Sequence, residues 1–112
     1  MDLNTEKSNG ILIAAPEGRI DGINALQFQQ ALNEKIDDSV SGVVIDMSDL
    51  NYVSSAGLRA VLLISKALQQ REARLVLCAL QAPIREVFQI SGFDQIIDIS
   101  EDREAAIASI SG

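Results

Sequence analysis

Apolar and polar positions follow two rhythms along the chain, and the changes of rhythm divide it into nine elements in the order β-β-α-β-α-β-α-β-α. Residues 2–8 are polar and extended in character, which predicts a weak edge strand whose Asp2, Glu6 and Lys7 discourage further pairing. Asn9-Gly10 is a strong two-residue hairpin signal, and Ile11–Ala15 reads as the returning strand. Pro16-Glu17-Gly18 breaks or bends that strand before a short extended piece, Arg19-Ile20. Ala25, Phe28, Leu32 and Ile36 then recur at helical spacing, with Asp21-Gly22 as the expected start and Asp21 as the cap. Val43-Val44-Ile45 is an unalternating, β-branched run, as in a strand covered on both faces.

A second helix is expected from about Ala56 to Gln70, burying Leu58, Val61, Leu62, Ser65 and Leu68. Leu63 falls on its outer row and could belong to a docking surface. Leu75–Leu80 predicts the next strand, and Pro83 suits the first turn of a third helix that buries Ile84, Val87, Phe88 and Ser91 and stops at Gly92. Ile96–Ile99 predicts the last strand. Ser100 is the expected cap of a final helix, with Glu101 and Asp102 at its positive end and Ala106, Ile107 and Ile110 buried. Helical connections between the later strands require parallel pairing with right-handed crossovers. The expected fold is therefore α/β: a mixed sheet with a leading antiparallel hairpin, later strands parallel, and about four helices packed against it.

Composition narrows the functions open to such a fold. A length of 112 residues with 47% hydrophobic content fits one domain, spanning residues 1–112, with a core of its own. The net charge of −7 argues against a nucleic-acid backbone or an anionic membrane as partner. Apolar runs of about five residues fall far short of the roughly 20 that a membrane helix needs. Met1-Asp2-Leu3-Asn4 has neither the basic start nor the apolar core of a signal peptide, so a cytoplasmic address is expected. The chain has no His, which removes imidazole metal ligands and Ser-His-Asp catalysis. Phosphate-cradling glycine motifs are missing as well, so no cofactor is expected. Cys78, inside an apolar run, reads as a buried small hydrophobe.

Candidate chemistry concentrates where Val43–Ile45 leads through Asp46-Met47-Ser48-Asp49-Leu50-Asn51-Tyr52-Val53-Ser54-Ser55 into the second helix. Strand, polar loop and helix start bring free backbone N–H groups together. A phosphate on Ser54 or Ser55 would add roughly −1.5 to −2 charge where the helix dipole tolerates it, changing a docking face without changing the fold. Either serine could equally serve only as the helix cap, a role that many helix-starting serines have. Ser55 as a nucleophile, or Asp21, Asp46 and Asp49 as acid–base groups, lacks a base at a recognisable spacing, and no enzyme activity is expected. Asp46 and Asp49 together offer two oxygens for a magnesium ion, a thin ligand set.

The stretch Val43 to Leu58 resembles the central signature of the STAS domain as it occurs in bacterial anti-sigma factor antagonists. Gly18-Arg19-Ile20-Asp21 is similar to the turn ahead of that family's first helix, and Pro83–Phe88 with Ser91-Gly92-Phe93 to its later helix and turn. The resemblance spans nearly the whole chain. It implies a partner-switching phosphoprotein, with Ser55, before Ala56-Gly57-Leu58, as the phosphorylated serine and Ser54 as the minor alternative. Asp commonly precedes the target serine in the sporulation and stress-response antagonists, where this chain has Ser54, and their following Ser or Thr is Ala56 here. The implied partners are an anti-sigma factor with a GHKL-type serine kinase domain, using ATP and Mg2+, and a PP2C-type phosphatase. The implied partner-facing residues are Asp21, Gly22, Asn51, Tyr52, Val53, Ser54, Ser55, Ala56, Gly57, Leu58 and Arg59. A constitutive STAS subunit of a sensory or lipid-transport complex, with no switch, is the alternative.

Overall fold

The computed structural model describes residues 3–111, so Asp2 of the expected first strand lies outside it. Strands β1 (Leu3–Ser8) and β2 (Ile11–Pro16) form an antiparallel hairpin, closed by Asn9 and Gly10 at φ 53° and 81°. Positive φ at both turn residues matches the right-handed twist of the flanking strands. There follow β3 (Gly18–Ile20), α1 (Ala25–Lys35), β4 (Gly42–Asp46), β5 (Leu50–Val53), α2 (Ser55–Gln70), β6 (Arg74–Cys78), α3 (Ala82–Ser91), β7 (Asp98–Ser100) and α4 (Arg103–Ser111). The main sheet has five strands in the order β1-β2-β4-β6-β7, parallel from β2 onward. The mixed sheet with a leading hairpin is thus as the hydrophobic pattern predicts.

Alternation along the strands divides the core in two. Leu12, Ala14, Val43, Ile45, Leu75 and Leu77 point to one face, where Phe28, Leu32, Val61, Ile64, Leu68, Ile84 and Phe88 from the first three helices cover them. Ile11, Ile13, Val44, Val76 and Cys78 point to the other, against Ala106 of α4. Gly42 permits that second contact, since a Cβ there would lie 2.6 Å from Cγ2 of Ile110.

Several local expectations need correction. Leu50–Val53, read as loop, is a strand that pairs in parallel with β3 in a separate two-stranded sheet, with Arg19 opposite Tyr52 and Ile20 opposite Val53. β2 runs one residue further than expected, to Pro16, and the expected bend falls at Gly18, φ 84°. Helix α1 begins at Ala25, because Asp21 and Asn24 close a turn of their own first. On α2, Ile64 is buried and Leu62 only half so, which rotates the inward face from the one expected. Strand β6 stops at Cys78, as Ala79 turns away with φ 58°. Ile96 is exposed after a 3-10 turn over Phe93–Gln95, and the last strand starts only at Asp98. Ser100 belongs to that strand; the cap of α4 is Asp102, whose carboxylate accepts the Ala105 N–H at 2.8 Å.

Candidate functional site

Two serines adjacent in sequence are given different roles at the β5–α2 junction. Ser54 is the N-cap, with extended backbone at φ −84° and ψ 175°. Its Oγ accepts the Gly57 N–H at 3.2 Å, its carbonyl accepts the Leu58 N–H at 2.9 Å, and its own N–H donates to the Ile20 carbonyl at 2.9 Å. Ser55 is the first helical residue and exposed, outside the cap. Its N–H and that of Ala56 lie in the first turn, where helix geometry supplies no acceptor. No acidic residue stands in that turn.

The Ile20 carbonyl also explains Gly57. An added Cβ would come 2.7 Å from that oxygen and 2.9 Å from Cγ1 of Val53. The start of α2 is therefore pressed onto β3 and β5, and glycine is what lets it sit there.

A second set of contacts makes the neighbouring corner rigid. The Asp21 carboxylate accepts the N–H groups of Ile23 at 2.9 Å and Asn24 at 3.3 Å and pairs with Arg19 Nε at 2.7 Å. Asn24 returns the favour, accepting the Asp21 N–H at 2.8 Å and donating to the Arg19 carbonyl at 2.9 Å. The Ile23 N–H foremost, then the Asn24 N–H and Arg19, outweigh partial desolvation and hold the Asp21 carboxyl below its ordinary value. Arg19 also lies over the Tyr52 ring, 4.9 Å from its centroid, tying β3 to β5.

The other acidic candidates do not gather here. Asp46, at the end of β4, accepts from Arg103 of α4 at 2.9 and 3.1 Å and from the Ser48 N–H at 3.0 Å. Burial opposes its charge, but Ser48 and Arg103 prevail and keep its pKa below the ordinary value. Arg103 reaches on to Glu6 at 2.7 Å, so this one side chain of α4 is fastened to both β4, through Asp46, and β1, through Glu6. Asp49 is exposed, and its backbone carbonyl takes the Gly18 N–H at 3.0 Å. Among the described residues no cluster of three or more His, Cys, Asp or Glu side chains could hold a metal ion.

Two shallow, mostly apolar grooves meet at Ala56 and Arg59, and Ser55 lines one of them. One, of about 500 Å3, is lined by Ser55, Ala56, Leu58, Arg59, Leu62 and Phe93. The other, of about 220 Å3 between α1 and α2, includes Gly22, Leu26, Ala56, Arg59 and Leu63. Ile23 beside it is 94% exposed and Leu26 65%. Of the residues expected on a partner-facing surface, Gly22, Asn51, Tyr52, Ser55 and Arg59 are exposed, and Asp21, Ser54 and Ala56 partly so. Val53, Gly57 and Leu58 are buried and shape the corner from beneath. Leu62, expected on the inward face of α2, and Phe93, expected only in the turn after α3, line the groove beside Ser55, and Ile23 and Leu26 carried no expectation. An apolar residue off the α1 periodicity, just ahead of the helix, was the available signal for Ile23.

A mixed-sheet α/β fold with a serine-bearing corner at a helix start is the class that these features define. A family model for the STAS domain matches residues 2–106, and the chain belongs to that family. BtrV of Bordetella bronchiseptica, a protein named as an anti-sigma factor antagonist, is 45% identical over 109 residues, 97% of this chain and 94% of the relative. The crystal structure of an anti-sigma factor antagonist from Mycobacterium paratuberculosis superposes with a TM-score of 0.89 at 20% identity, covering 99% of this chain and 94% of the other. The Bacillus cell fate determinant SpoIIAA in its phosphorylated form gives 0.74 at 21% identity, covering 97% and 99%. At that level of identity the last two likenesses concern the fold. No described helix is long and apolar enough to cross a membrane.

Proposed function

We propose that residues 1–112 act as one domain, an anti-sigma factor antagonist whose binding is switched at Ser55. Unphosphorylated, the corner and its two grooves dock on an anti-sigma factor that carries a GHKL-type serine kinase domain, and the sigma factor is released. The kinase then transfers phosphate. Ser55 Oγ attacks the γ-phosphorus of Mg2+-bound ATP, the bond to the β–γ bridging oxygen breaks, ADP leaves, and the hydroxyl proton passes to a base of the kinase. A PP2C-type phosphatase reverses the state by hydrolysis, returning serine and inorganic phosphate. These steps belong in the cytoplasm.

One observation carries this reading: the serine outside the cap is the one exposed in an apolar groove. A phosphate there meets free N–H groups and the positive end of α2, so the fold need not yield. It also sets a strongly hydrated dianion in the middle of apolar docking surface, where binding would require its desolvation. The names of the relatives support the same role.

The test compares wild type with Ser55→Ala and Ser55→Asp for binding to the candidate kinase, with ATP and Mg2+ present, alongside intact mass. One phosphate in wild type and none in Ser55→Ala, with binding kept by Ala and lost by Asp, supports the switch. No phosphate in wild type and equal binding by both variants would leave a constitutive STAS subunit as the better description.

A further inference from the structure

Ser55 and Arg59 stand one helical turn apart on α2 and line the same groove. Residues at this spacing share a helix face, with Cβ atoms roughly 6 Å apart. Arg59 is the one charged side chain among the residues lining either groove, and it borders both. It is exposed, and it has no part in the ion pairs found among the described residues, which engage Lys7, Arg19, Arg74 and Arg103. The nearby carboxylate of Asp21 is already committed to Arg19 and two backbone N–H groups. A free guanidinium thus sits alone in apolar surroundings, within a turn of the serine proposed to receive a dianion.

We infer that Arg59 is a shared cation that changes partner with the state of Ser55, a role that rests on the switch proposed above. In the unphosphorylated chain it is available to a carboxylate on the docking protein, at the ridge between the two grooves. Once Ser55 carries phosphate, the guanidinium closes onto it, since a planar fork matches phosphate oxygens within one helical turn. Phosphorylation then acts twice. It adds negative charge to the face, and it engages the one cation that lines the two grooves.

The test begins with the free full-length chain carrying phosphoserine installed at position 55 during synthesis, titrated by 31P NMR. The second phosphate pKa should lie about 0.3 pH unit lower with Arg59 than with Arg59→Gln, and Arg59→Lys, a cation without the fork, should fall between them. Equal values in all three would overturn the capture, whatever the kinase does. The second arm measures kinase binding for Arg59 and Arg59→Gln chains, each with and without the phosphate. Loss of Arg59 should weaken the unphosphorylated chain several-fold and shrink the penalty that phosphate imposes. Strictly independent effects of the two changes would overturn the sharing. Should the kinase leave Ser55 unmodified, the switch itself fails, and the titration still reports on Arg59 separately.

Discussion

The carbonyl of Ile20 lies where a side chain on Gly57 would have to go, 2.7 Å from the position of an added Cβ. The obstacle is backbone, held in place by the Ser54 N–H that donates to the same oxygen. Gly57→Ala therefore cannot be accommodated by rotating a neighbour. It should cost roughly 1–3 kcal/mol of stability, the usual range for overpacking a well-filled site. Urea denaturation with an unchanged slope and a lower midpoint checks this; an unchanged midpoint would mean that α2 shifts freely on β3.

The two serines should separate cleanly in stability. Ser54→Ala removes the side chain that accepts the Gly57 N–H and should cost about 1 kcal/mol. Ser55→Ala, outside the cap, should stay within about 0.5 kcal/mol of wild type. Equal losses in parallel denaturations would contradict the assignment of the cap.

Asp46 predicts a pH dependence whose sign is fixed. Its folded pKa is lowered from 3.8, so the ion pair with Arg103 contributes fully above that value and is lost as pH falls through the lower, folded one. Asp46→Asn should destabilise the chain near neutrality, and the gap from wild type should close in acid below about pH 4. A gap that stays constant from pH 7 to pH 2 would show that the charge is not what matters.

Cys78 is buried, and burial first, then the Asp46 charge, pushes its thiol up to about 11. It should resist alkylation in the native chain at pH 8 and react once urea unfolds the protein. Mass spectrometry of iodoacetamide-treated samples reads both states.

The apolar surface beside Ser55 should matter for binding and not for folding. Leu26→Asp and Leu63→Asp, both at exposed positions, should leave stability within about 0.5 kcal/mol. Either should weaken capture of the kinase at least about tenfold if the groove between α1 and α2 is docking surface. Undiminished capture would move the interface elsewhere.

Long-period features were legible before the structure and short ones were not. Phe28 and Leu32, Val61 and Leu68, and the run Val43–Ile45 repeat a strong pattern over many residues, so the main sheet and its helices could be read from them. The β3–β5 pair could not. Its strands are three and four residues long, and Arg19, Asn51 and Tyr52 show polar or exposed side chains because they lie at a surface corner. Which serine caps α2 was undecidable from spacing, since either could be drawn as the last residue before the helix. The backbone settles it through the bond from the Ser54 N–H to Ile20, a contact 34 positions away in the chain. Ile23 and Leu26 escaped notice for a related reason, as they are apolar residues that the α1 pattern does not use.

Two hydroxyls of identical chemistry, adjacent in sequence, thus carry different costs of being altered. A group attached at Ser54 would displace the bond that starts α2, so every such mark would be charged against the stability of the helix. A group attached at Ser55 displaces nothing. Under the proposed switch, a record kept at Ser55 would be written and erased repeatedly, and how long it lasted would be decided by the enzymes that reach it, with no contribution from refolding.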